Sequence, residues 1–353
     1  MSYKDNTSRQ PLPSLMGRAG EGPRSVIGIG ETVLDIIFQG NKPVDAVPGG
    51  SCFNSIISLA RAGVKTQFIS ETANDRVGRL TMDFLAHNGV DSSLVNVRND
   101  IKSPLSLAFL NERNDAEYVF YKDHSASRLS RLRPEIHPDD IILFSSFFAL
   151  NPAIRPAVAD FLRYAKDQGA ILYYDVNFRS SHAAEKEALL PTFEENFRLA
   201  DILRGSDEDF RILFGIEGIE EVFRKHLSTP LLSGGHAATF IYTRGPKPVQ
   251  VITALPLTTS LFEATVPDSS PSGDPAPVVS TIGAGDNFNA GFAYGLIREG
   301  ITREQIHAGL TPDQLRPLIF YAEQFASACC QSIYNYVPEG FRPADLSPKH
   351  RKN

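Results

Sequence analysis

Cysteine is scarce in this chain of 353 residues, and Cys52, Cys329 and Cys330 account for all of it. An odd count with two neighbours adjacent gives no disulfide framework, so a reducing, cytoplasmic setting is expected. Long apolar runs are missing too. None approaches the ~20 residues that a membrane-spanning helix needs, and the longest candidate, "IILFSSFFAL" at 141–150, reads as a buried strand. Nor is there a surplus of positive charge. A net charge of −6 argues against a general nucleic-acid binder, although a local nucleotide site needs only a few donors. The eight histidines show no HxxxH spacing and no CxxC accompanies them, so a structural zinc site is not expected. No internal repeat is visible. Residues 1–24 are polar, rich in Pro and Gly and without the apolar core of a secretory signal, and read as a disordered tail.

What is present is ordinary for a globular protein, with 42% apolar and 22% charged residues. "SVIGIG" (25–30), "TQFIS" (66–70), "IILFSS", "AILYYD" (170–175), "DILRGS" (201–206) and "ATFIYT" (238–243) are short apolar strand candidates. Between them lie helical stretches: one from "GGSCFN" to Ala62, one over 75–90 with Val77, Leu80, Phe84 and Leu85 in step, and others over 152–168 and 186–199. Such alternation predicts an α/β domain over residues 25–340, its mostly parallel sheet covered on both faces. Segments 33–50 and 104–123 break the rhythm and read as extended ribbons, either a small β-lid or two edge hairpins. A Pro- and Ser-rich loop at 266–280 reads as a surface insertion, and 341–353 as a short basic tail.

The most informative stretch is "VVSTIGAGDNFNAGF" (278–292). Gly283, Ala284 and Gly285 leave the backbone bare, and Asp286 stands where a helix begins, with Phe288, Phe292 and Leu296 every four residues. The first N–H groups of a helix lack internal partners and sit at its positive end, so an anion such as phosphate is welcome there. Asp286 can cap the helix or take a proton from a hydroxyl aimed at that phosphate. Gly291 and Gly295 would let the helix pack closely.

This string resembles the signature of the ribokinase (PfkB-type) carbohydrate kinases, carried here by Thr281, Gly283, Ala284, Gly285, Asp286, Phe288 and Gly291. One departure is that Ser280 stands where the family has an acid. A second signature, Gly-Gly-x-x-x-Asn, is matched by Gly49, Gly50 and Asn54, with Ser51 similar to the small residues of keto-sugar kinases. "GETVLD" (30–35) is similar to the family's opening strand, with Asp35 at the sugar-binding position, and "YDVNFR" (174–179) resembles an Asp-x-Asn-x-Arg element, giving Asp175, Asn177 and Arg179. A helix start and an internal Asp–Arg pair are the plainer accounts of these two glycine and acid motifs. "LRGSDEDF" (203–210) places Ser206 and Asp209 near nucleotide and water-held metal, unless Ser206 is a helix cap. "YTRGPKP" (242–248) gives Thr243 and Gly245 at a nucleotide turn, with Pro248 replacing a glycine, and Lys122 sits in a lid strand.

The resemblance implies a ribokinase-like three-layer fold and an ATP-dependent sugar kinase using Mg²⁺, with a monovalent cation and a homodimer through the lid as further expectations. No nucleic-acid or membrane partner is expected. Fructose or a related keto-sugar is the expected acceptor; 2-keto-3-deoxygluconate, ribose or a nucleoside are the alternatives, and a non-catalytic sensor on the same fold is a reading of another class. NAD binding is disfavoured, because "GIGETV" has Val33 at the third glycine position of a dinucleotide fingerprint.

Overall fold

In a computed structural model the described residues are 23–110, 116–121, 129, 132–254, 259–264 and 278–346. The tail up to residue 22, Lys122, most of the 266–280 loop and residues 347–353 lie outside them. A nine-stranded sheet forms the body. Its strands are β1 (Ser25–Ile29), β4 (Lys65–Ala73), β5 (Val95–Arg98), β8 (Ile141–Ser145), β9 (Ile171–Asp175), β10 (Ile202–Ser206), β11 (Ala238–Arg244), β12 (Lys247–Ala254) and β13 (Thr259–Ala264). Their order is β13-β12-β11-β10-β9-β8-β1-β4-β5, parallel from β5 to β11 and antiparallel from there to the β13 edge.

The apolar runs form central strands because both of their faces are covered. In β9, Ile171 and Tyr173 enter one core while Leu172 and Tyr174 enter the other. On the first face lie α1 (Ser51–Arg61), α2 (Arg76–His87), α9 (Ala284–Arg298), α10 (Arg303–Ala308) and α11 (Pro312–Cys330). On the second lie α3 (Ser146–Leu150), α4 (Arg155–Asp167), α5 (Lys186–Leu199), α6 (Asp207–Phe214), α7 (Ile219–Val222) and α8 (Ser228–Leu232). The expected three layers are therefore present. The run 141–150 is not one strand, however. It turns at Ser146, where φ is +60°, and finishes as α3. An apolar run alone does not distinguish strand from buried helix.

A second sheet, ordered β3-β2-β6-β7, comprises β2 (Val33–Gln39), β3 (Lys42–Gly49), β6 (Leu105–Leu110) and β7 (Ala116–Tyr121). It unites the two ribbons read as a lid, with Asp35 of β2 opposite Ser106 of β6. Both ends of the domain reach past the sequence boundaries. Arg24, assigned above to the tail, donates to the carbonyls of Asp139, Leu296 and Ile301. Phe341 packs edge-on against Phe325 at 4.9 Å and Leu346 is buried.

Helices α9 and α11 press together at Gly291. A Cβ there would stand 2.6 Å from Ala322 Cα, so the helices would have to part. Gly291→Ala is therefore expected to cost about 1–3 kcal/mol, read as a lower denaturant midpoint at unchanged m-value. An unchanged midpoint would show that the contact has slack.

Candidate active site

Parallel strands deliver their carboxyl ends to one edge, the usual place for ligands in such sheets. Ser145 ends β8, Asp175 ends β9, Ser206 ends β10, and Thr243 lies one residue from the end of β11. The lid and the start of α9 meet them there.

Gly283 takes φ +75° as the N-cap of α9, and a Cβ on it would lie 2.7 Å from the Asn335 carbonyl oxygen. Glycine is required on both counts. The Ala284 amide is turned back onto the Thr281 carbonyl at 3.2 Å, whereas the amides of Gly283, Gly285 and Asp286 find no acceptor among the described residues. The bare surface is thus narrower than three consecutive residues suggest. Thr281 is exposed. Ser280 is buried, and its hydroxyl accepts from the Ile282 amide at 3.2 Å, which braces the loop without supplying charge.

Asp286 is the third residue of α9 and is buried. One carboxylate oxygen accepts from Ser51 Oγ at 2.7 Å and the other from Asn54 Nδ2 at 2.8 Å, while its carbonyl accepts from Ser55 Oγ. Burial pushes its pKa up to about 6, and the two donors hold it from rising further. Asn54, expected to meet the sugar, thus spends its amide on Asp286, and its buried Oδ1 has no partner among the described residues.

Asp35 projects from the lid, where its carboxylate accepts from Ser106 Oγ and, at 2.8 Å, from Asn335 Nδ2. Burial raises its pKa to about 6 against these donors. Gly49 lies beside that carboxylate and Gly50, at φ +131°, passes the Glu31 carbonyl. Both glycines are therefore required where the strand returning from the lid meets the outgoing one.

Asp175 has no exposed surface and pairs with Arg204, not with Arg179. Arg204 Nη1 donates to Asp175 at 3.0 Å and Nη2 to Thr243 Oγ1 at 2.7 Å, while Asn289 Nδ2 bonds the other Asp175 oxygen. Burial works to lower the Arg204 pKa, but Asp175 and Asp209 together outweigh it and the guanidinium stays charged. It lies against Gly285, 3.0 Å from where a Cβ would stand, and its buried Nε has no partner among the described residues. A fixed positive charge therefore sits beneath the bare loop. Arg179 is exposed, and its charge is felt at Asp286 and at Tyr118 of β7. Asn177, at φ +36°, donates to Ser51. Gly245 occupies the exposed β11–β12 turn at φ +56°.

The water-held metal expected at Asp209 meets a different arrangement. Asp209 and Ser206 form a reciprocal capping box at the start of α6, and Asp209 also accepts from the Phe178 amide at 2.7 Å. Both carboxylate oxygens are taken, because the short side chain folds back into the cap. The His/Asp group Asp201, His236 and His307 lies at the opposite edge of the sheet. Its two imidazoles are stacked 3.7 Å apart and 8° from parallel, so one ion cannot lie in both ring planes, and Arg303 already binds Asp201.

Sequence reasoning gave no role to Arg204, Ser106, Asn289 or Asn335. Asn289 had a signal, an amide in the otherwise apolar stretch of α9 from Phe288 to Ile297, since a buried amide must be matched. Asn335 had none, lying after α11 outside every motif.

The sequence matches the pfkB family carbohydrate kinase profile over residues 26–336. A 5-dehydro-2-deoxygluconokinase of Geobacillus thermodenitrificans (strain NG80-2) is 29% identical over 298 residues, covering 78% of this chain and 82% of the relative. A fructokinase of Rhizobium leguminosarum bv. trifolii is 26% identical over 298 residues, covering 82% and 85%. Among solved structures, a fructokinase from Vibrio cholerae O395 in a fructose-, ADP- and calcium-bound form shares the fold at TM-score 0.70 and 20% identity, covering 88% of this chain and 93% of its own. No helix among the described residues is long and apolar enough to cross a membrane. With the profile spanning nearly all of the described body and the bare glycine loop, buried acid and lid already in place, the chain belongs to the pfkB family of carbohydrate kinases.

Proposed function

We propose that the protein transfers the γ-phosphate of ATP to a hydroxyl of fructose or a related keto-sugar, with Asp286 as the proton acceptor. The observation that carries this is the buried Asp286 carboxylate beside amides that find no acceptor among the described residues at the mouth of α9. A pKa near 6 leaves it ionised at neutral pH yet basic enough to accept a proton. The amides of Gly283 and Gly285 and the charge of Arg204 would stabilise the transferring group, and a preorganised donor of this kind contributes ~3 kcal/mol where measured in other enzymes. Asp35 and the free Asn54 Oδ1 offer acceptors to sugar hydroxyls. Mg²⁺, when bound with the nucleotide, neutralises charge on the phosphates, and with Asp209 engaged its ligands would be phosphate and water.

The named relatives support a keto-sugar or its acid as acceptor. Arg179, exposed beside the site, favours a sugar acid such as 5-dehydro-2-deoxygluconate or 2-keto-3-deoxygluconate as the second reading. ADP release from ATP is the test, with fructose, both sugar acids, ribose and a nucleoside compared by kcat/KM. Fructose or a keto-acid is expected to lead by at least tenfold, the worth of ~1.4 kcal/mol. Ribose or nucleoside leading would overturn the acceptor assignment, and no turnover with any of them would favour the sensor. Leaving potassium out of the same assay tests for a monovalent activator. A homodimer through the lid is supported by its edge strand β7, where Tyr118, Val119, Phe120 and Tyr121 are exposed.

A further inference from the structure

Ser51, the first residue of α1, has one hydroxyl proton, and its neighbours decide where that proton points. Ser51 Oγ lies 2.7 Å from Asp286 Oδ1, 2.5 Å from Asn177 Nδ2 and 3.2 Å from Ser145 Oγ. An amide nitrogen only donates, so Ser51 accepts from Asn177; Ser145 donates to it as well. The Ser51 proton is left for Asp286. Two of the segments that converge here hold backbone unusual for residues bearing a Cβ: Asn177 at φ +36°, and Ser146, directly after Ser145, at φ +60°. Asn54 anchors the other Asp286 oxygen. Without Ser51 the carboxylate would hang from a single donor and turn.

We propose that Ser51 is a positioning residue for Asp286, its hydroxyl oriented by Asn177 and Ser145 so that the carboxylate is aimed at the acceptor alcohol and kept ionised. This rests on Asp286 being the proton acceptor. The hydrogen bond favours the charged form, opposing the effect of burial. Other groups facing Asp286 are Asp175 at the end of β9, Arg179 beyond it, Asp35 and Tyr118 on the lid, and the buried Cys52 and Cys329 thiols. Arg204 lies beneath the adjoining Gly285. None of them is altered by removing the Ser51 hydroxyl.

The test is the pH profile of kcat at saturating ATP and sugar. The wild type is expected to lose turnover on an acid limb near pH 6, the value set by burial of Asp286. In Ser51→Ala the limb should move about one pH unit upward, and the plateau should fall about tenfold from misalignment, with the KM for ATP unchanged. Ser51→Thr, which keeps the hydroxyl, should return the limb toward its original position. Should Ser51→Ala fail to fold, Ser145→Ala removes one orienting donor and should move the limb the same way by less. A wild type without an acid limb overturns the Asp286 reading itself. A wild-type limb that both alanine variants leave in place overturns the role of Ser51 alone.

Discussion

Asp286→Asn should lower kcat by about 10²–10⁴-fold, the usual contribution of a positioned general base. Its affinity for ATP should be near normal, because the groups proposed to hold phosphate are backbone amides and Arg204, which the substitution leaves in place. The same variant should be more stable at neutral pH. The sign follows from the raised pKa. Asp286 moves from an ordinary 3.8 to about 6 on folding, so the folded state binds the proton more tightly than the unfolded chain. The ionised carboxylate therefore weakens the fold above that value, and the penalty fades as pH falls through 6 toward 4. Two pKa units correspond to about 3 kcal/mol, and the amide escapes up to that much at pH 7. Asp35 carries the same sign and value, so wild-type stability should rise on mild acidification until other carboxylates titrate. Single-turnover kinetics, ATP titration calorimetry and urea melts at two pH values check these together. Turnover within threefold of wild type would remove the proton-acceptor role, and a less stable variant would show that the carboxylate's bonds to Ser51 and Asn54 outweigh its burial.

Arg204→Met should have the largest effect on stability. It leaves Asp175, with no exposed surface, facing no buried cation. Removing one partner of such a pair costs about 3–5 kcal/mol. The double variant Arg204→Met with Asp175→Asn removes both charges and should recover most of that loss. It should not recover turnover, because the positive charge under Gly285 is still missing. Denaturant midpoints for the two single variants and the double form a cycle that isolates the coupling. Additive midpoints would mean that the two charges do not stabilise each other. Recovery of turnover in the double variant would mean that Arg204 serves only to neutralise Asp175.

What sequence revealed and what it hid differ by the range of the contact. The strand at 171–175 was visible because burial on both faces leaves a near-continuous apolar run, and the one at 202–206 through Ile202 and Leu203 before a glycine. Close packing of α9 was visible because glycine at 291 and 295 shares its face, and the glycine loop because backbone approach leaves no freedom of residue type. Asp209 was in view but its use was not: serine followed three residues later by an acid serves a metal shell or a helix cap equally, and the cap with Ser206 and the Phe178 amide is seen only in three dimensions. Arg204 looked like one more polar residue in a strand. Its importance depends on Asp175, Thr243 and Gly285, which three other elements bring to it, and no local pattern encodes that meeting.

The bond from Asn335 to Asp35 joins residues 300 positions apart. During synthesis the lid carboxylate emerges long before its partner. Until then the lid cannot dock without sealing away a carboxylate short of one donor, a costly state. The nascent chain is therefore expected to keep its lid unseated and its glycine loop unbraced until residue 335 has emerged. A premature stop just before codon 335 would then silence the enzyme while leaving every recognisable motif intact.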